Sequence, residues 1–62
     1  MKFSEFLNLI GGEFVLVHLG NVHNNEYEAD KNAIRANRED LLDRELINVS
    51  IATKNKFEVL LK

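Results

Sequence analysis

The sequence has no cysteine, no proline and no tryptophan, and only three glycines among its 62 residues. Without cysteine there is no disulfide framework, no thiolate zinc site and no thiol nucleophile, so the usual props of small secreted domains are missing. Without proline nothing marks a linker, and no internal repeat divides the chain, so a single domain over residues 1–62 is expected. A chain of this size sits near the lower limit for a self-sufficient hydrophobic core. Close packing or self-association must therefore replace the missing cross-links.

Long apolar runs are also lacking. Nothing approaches the ~20 consecutive apolar residues that cross a bilayer, so no membrane association is expected. The amino terminus Met1-Lys2-Phe3-Ser4-Glu5-Phe6 places a glutamate in a short apolar stretch that ends at Gly11-Gly12. That pattern fits no secretory signal, and the expected location is the cytoplasm. Basic charge is scarce as well: eight Lys and Arg stand against ten Asp and Glu, for a formal charge of −2. No lysine or arginine cluster interleaves with aromatics, so direct nucleic-acid binding is not expected and a basic protein surface is the more natural partner. The balance of 45% hydrophobic and 29% charged residues is that of a folded globular chain.

Within that chain, Phe3, Phe6, Leu7 and Ile10 recur at helical spacing, with Ser4 placed to cap and Gly11-Gly12 placed to stop, which predicts a helix of about two turns. Phe14 to Leu19 is a nearly continuous run of β-formers and predicts a strand. Because alternate side chains point to opposite faces, Val15, Val17 and Leu19 line one side and Phe14, Leu16 and His18 the other. Gly20-Asn21 suits a two-residue turn that would set Leu19 opposite Val22 and return the strand to about Ala29. A later bend at His23-Asn24-Asn25 would leave a wider loop and a second strand from Glu26 to Asp30. Residues 30–43 are polar, with Asp30 or Asn37 as possible caps and Ala33, Ile34, Leu41 and Leu42 to bury; a loop followed by a helical turn around Arg38 to Leu42 is expected. Ile47, Val49 and Ile51, a Lys54-Asn55 turn, then Phe57, Val59 and Leu61 describe a hairpin whose apolar sets share one face. Together these elements predict an α+β fold: a four-stranded, mostly antiparallel sheet, an N-terminal helix on one face, and a short helical turn before the C-terminal hairpin.

Three groups of residues are candidates for function. A tight Gly20-Asn21 turn would set His18 and His23 opposite each other, ~5 Å apart at Cβ, where two imidazoles are weak candidates for a shared metal. Zinc needs three or four ligands, and in that register Glu26 points away, so two solvated histidines at a hairpin end are the plainer reading and no metal or other cofactor is expected. Glu26, Glu28 and Asp30 alternate along the second strand, within a segment from Glu26 to Glu45 that holds seven acids against four bases. Such a strip is either a solvated edge or an acidic surface that meets a basic partner. Phe14 and Leu16 lie on the strand face that a single helix cannot cover, and mark either an interface for self-association or a floor beneath the Lys31–Asn37 loop. Gly11-Gly12 and Gly20 satisfy no phosphate-binding fingerprint. With no cysteine, two histidines, two serines and one threonine, the chain carries little catalytic equipment and is not expected to be an enzyme.

The opening Phe3-Ser4-Glu5-Phe6-Leu7 helix before a strand, and the later run from Glu39 to Ile51 leading into a hairpin, resemble the pattern of small proteins encoded by phages and prophages of Gram-positive bacteria. The resemblance covers roughly half of the chain and brings no motif residues. It implies a mobile element in a bacterial cytoplasm, and a non-enzymatic protein that acts by binding a host protein, as anti-CRISPR and other anti-defence inhibitors do. The alternative it implies is a homo-oligomeric sponge for a small anionic ligand such as a signalling nucleotide, with Arg35, Arg38 and Arg44 as the ligand-binding residues.

Overall fold

The computed structural model describes residues 1–20 and 26–62. Two helices, α1 (Phe3–Leu7) and α2 (Lys31–Asn37), and four strands, β1 (Phe14–Leu19), β2 (Glu26–Asp30), β3 (Leu46–Thr53) and β4 (Lys56–Leu61), are joined by short connections, one of them a 3-10 turn over Glu39–Leu41. The strands form one sheet in the order β2-β1-β4-β3. Each hairpin, β1–β2 and β3–β4, is antiparallel, and the two hairpins meet through a parallel β1–β4 pair in which Val15 faces Phe57 and Val17 faces Val59. The fold is α+β, with the expected helix at the start and the expected helical turn before the last hairpin. The central parallel pair makes the sheet mixed.

Both helices lie on the face lined by Val15, Val17, Leu19, Val59 and Leu61. These residues and Phe3, Phe6, Leu7, Ile34 and Leu41 are all buried and form one core. Phe6 holds the helix to the sheet by an edge-on contact with Phe57, at 5.6 Å between ring centroids, a geometry that suits the aromatic quadrupole.

The helices depart from the sequence expectation in instructive ways. α1 has only five residues and ends at Asn8, well short of Gly11-Gly12. Ser4 caps nothing: it lies inside the helix, and the first amides of α1 are satisfied elsewhere. Phe3 N–H donates to Arg44 O and Ser4 N–H to Leu42 O, each at 3.0 Å, while Lys2 N–H donates to Glu5 Oε1 at 2.7 Å. A tertiary contact thus replaces the cap. The polar segment expected to be a loop is α2, started by Asp30, whose Oδ1 accepts from Ala33 N–H at 2.8 Å. Its single buried residue, Ile34, joins the helix-side core, so this segment does not cover Phe14 and Leu16.

The register of β1 with β2 decides which side chains share a face. His18 pairs with Glu26, Leu16 with Glu28 and Phe14 with Asp30. The second strand runs from Glu26 to Asp30, as the wider-loop reading expected, and its register is not that of a Gly20-Asn21 turn; the bend expected at His23-Asn24-Asn25 lies outside the described residues. The physical reason lies across the sheet: Gly20 N–H donates to Leu61 O at 2.7 Å, so the chain is still in the parallel ladder where the tight turn would reverse it. Residues 21–25, including Val22 and His23, lie outside the described residues.

Candidate protein-binding face

Among the described residues, no helix lies on the sheet's second face. Read across it in register, one row is Glu26, His18, Leu60 and Asn48, the next Glu28, Leu16, Glu58 and Ser50, and the next Asp30, Phe14, Lys56 and Thr53. Phe14 keeps half of its surface exposed, and Leu16 and Leu60 are half-buried between charged neighbours. The three-residue shift from the tight-turn register, being odd, moves every acid of β2 from the helix side to this side. Phe14, Leu16, Glu26, Glu28 and Asp30, five residues singled out in the sequence on separate grounds, therefore lie together on one surface.

The face is ordered by charge pairs that cross strands. Lys56 Nζ reaches over β1 to Glu28 Oε1 at 2.9 Å, between Phe14 and Leu16. His18, a little under one-third exposed, lies between two carboxylates, with Nε2 2.7 Å from Glu58 Oε2 and Nδ1 3.6 Å from Glu26 Oε1. Glu26 thus faces His18, correcting the expectation that it would point away. Asp30 is committed to the first turn of α2. Four carboxylates against one lysine leave the face acidic, with an apolar centre at Phe14, Leu16 and Leu60.

His18 and its two carboxylate neighbours do not make a metal site: no group of three or more candidate ligands with suitable geometry occurs among the described residues. His23 lies outside them. The arginines are dispersed and already engaged. Arg35 Nη2 donates to Asn8 Oδ1 at 2.7 Å, and Arg44 Nη1 to Lys62 O at 2.9 Å. Arg38 grips Asp40 through Nε and Nη2, both at 3.0 Å, with its guanidinium 5.0 Å from the centroid of the Tyr27 ring. The hydrogen bond from Arg38 holds the Asp40 carboxyl below the usual carboxylate range, and the same bond raises Arg38.

Sequence reasoning missed Leu60, Glu58 and Lys56 as members of this face. They arrive through the parallel pairing of β4 with β1, and the signal was the alternation of β4 itself, in which Lys56, Glu58 and Leu60 oppose Phe57, Val59 and Leu61. Among the described residues no helix is long and apolar enough to cross a membrane. The chain matches no known family, and no curated protein or solved structure proved similar to it.

Proposed function

We propose that this is a small non-enzymatic binding protein that engages a basic protein surface through its helix-free sheet face. The observation that supports it is the grouping of an exposed phenylalanine and two leucines with Glu26, Glu28 and Glu58, on a face that no helix among the described residues covers. Acidic surroundings would steer a basic partner and set its orientation. The apolar centre would supply most of the affinity once water is excluded from it. The resemblance to phage-encoded proteins adds a setting, in which the partner is a host defence protein and binding inhibits it. The arginine-lined oligomer is less supported, since Arg35, Arg38 and Arg44 each have an intramolecular partner.

The test is capture of partners from bacterial cytosol on the immobilised chain, at low and high salt, beside a Glu26→Lys/Glu28→Lys variant and a Phe14→Ala variant. Asp30 stays untouched because it caps α2. The expected result is a basic protein retained by the native chain at low salt, released by salt, and lost with either variant that circular dichroism shows to be folded. Retention of the same proteins by the folded variants and the native chain would overturn the reading.

A further inference from the structure

β3 is the anomaly of the fold. It is the longest strand, with eight residues, yet seven of them are exposed and only Leu46 packs against the core. Val49 and Ile51 face the helix side, opposite Val59 and Phe57, but neither helix reaches them: Ile51 remains 74% exposed. Strands at sheet edges ordinarily protect themselves with charge, brevity or proline. This one, Leu-Ile-Asn-Val-Ser-Ile-Ala-Thr, has no charged residue and no proline. The opposite edge differs in length and charge, since β2 has five residues and carries Glu26, Glu28 and Asp30.

The part of that edge open for pairing has definite limits. At its start Leu46 N–H donates to Met1 O at 2.8 Å, and Lys2 bridges Glu45. At its end the chain turns at Lys54-Asn55 into β4. What is left runs from Ile47 to Thr53, and its centre is Ser50.

We propose that β3 pairs antiparallel with β3 of a second copy about a two-fold axis at Ser50, so that two four-stranded sheets become one of eight strands. In that register Ser50 faces its own counterpart, Val49 faces Ile51 of the other copy, Asn48 faces Ala52, and Ile47 faces Thr53. Val49 and Ile51 meet on the helix side and the two Ser50 side chains on the open side, while Ile47, displaced by a bulge, meets Thr53. No charge opposes a like charge, whereas the same operation on β2 would set carboxylate against carboxylate. A self-complementary strand with a two-fold axis gives a closed, isologous dimer, the commonest form of association. A neutral strand has nothing with which to select a charged partner strand, so a second copy is the occupant that fits. The contact is narrow, which places the dissociation constant on the order of 10 μM.

The experiment uses the absence of native cysteine. In Ser50→Cys the two thiols lie across the axis within reach of a disulfide, and oxidised glutathione should convert the variant to a covalent dimer at least ten times faster than Asn32→Cys, a thiol exposed on α2. In Ser50→Lys two ammonium groups oppose each other, so the dissociation constant measured by sedimentation should rise more than tenfold with the circular dichroism spectrum unchanged. The native chain itself should pass from monomer to dimer mass between about 1 and 200 μM. A monomer mass across that range, or cross-linking of Ser50→Cys no faster than the control, would overturn the proposal. So would a folded Ser50→Lys that dimerises as before, which would place the interface elsewhere.

Discussion

Ile34 and Ile51 are the same residue in opposite circumstances, one wholly buried and the other 74% exposed, and replacing each by alanine isolates what burial contributes. Truncating Ile34 removes three carbon atoms from the core, worth about 0.8 kcal/mol each in transfer, or roughly 2.4 kcal/mol. If the helix closes over about half of the vacated space, a residual cavity of ~40 Å3 adds about 1 kcal/mol more. The sum, about 3–4 kcal/mol, is large beside the roughly 3–9 kcal/mol expected for a whole domain of 62 residues. Ile34 is also the only fully buried residue of α2, so its loss frees the helix as well as emptying a site. With a urea m-value of about 1 kcal/mol/M, the midpoint followed by circular dichroism should fall by about 3 M. Ile51→Ala, measured at a concentration that keeps the chain monomeric, should shift stability by less than about 0.5 kcal/mol. A loss below about 1 kcal/mol for Ile34→Ala would show that α2 does not close the core, and the separation of a covered from an open sheet face would fail with it.

Asp30→Ala removes the acceptor for Ala33 N–H and should cost about 1 kcal/mol in urea denaturation, with Asp30→Asn restoring most of it. A full loss in both variants would show that the charge, not the cap geometry, matters. Asp40, held low by Arg38, binds its proton less readily in the folded chain than in the unfolded one. Its contribution is therefore present above the ordinary carboxylate value of 3.8 and is lost as pH falls through the lower folded value. Carboxyl NMR titration should find Asp40 below that ordinary value, and Arg38→Gln should return it; an unmoved titration in the variant would refute the pairing as the cause.

What the sequence made legible was whatever depended on neighbours along the chain. The period of Phe3, Phe6 and Leu7, the β-rich run from Phe14 to Leu19 and the alternation of Val49, Ile51, Phe57 and Val59 all read correctly, because the residues that share a face of an element are written in its own spacing. The register of the first hairpin was not legible. Gly20-Asn21 has good chemistry for a tight turn, but Gly20 N–H donates to Leu61 O, forty-one positions away, and β1 pairs with β2 in a register that such a turn would not give. That bond belongs to a parallel pairing with no local signature. The same distance hid Lys56, Glu58 and Leu60 from the face they share with Phe14 and Leu16. α2 was written more faintly: Asp30 as cap and Ala33, Ile34 and Ala36 as helix formers were present, but one apolar anchor gives no period to count. The bulge between Leu46 and Asn48 is equally silent in sequence, and it displaces Ile47 from the alternation of Val49 and Ile51. A Cβ added at Gly20 would lie 3.7 Å from both Ile47 Cδ1 and Leu60 Cδ1, so Ile47 ends beside the open face.

The two proposals meet in the size of that face. The longest dimensions of the molecule, 27 × 22 Å, give one face a projected area of roughly 600 Å2, so an ordinary specific interface of ~800 Å2 of accessible surface per partner would take up nearly all of it. A partner that covers only part of one copy's face would be held weakly. The two-fold axis of an antiparallel strand pair stands perpendicular to the sheet, so pairing through β3 leaves both helix layers on one side and joins both open faces on the other. Phe14, Leu16 and the β2 acids then occur twice on one continuous surface, at opposite ends of an eight-stranded sheet. A partner that spans both copies would lose its second foothold in Ser50→Lys, a substitution on the edge strand beside Glu58 that leaves Phe14, Leu16 and Leu60 in place. Binding of such a partner would then weaken by about a hundredfold, the scale of a lost intramolecular second contact, whereas a partner seated on one copy alone would lose less than about fivefold, the effect of one added surface charge.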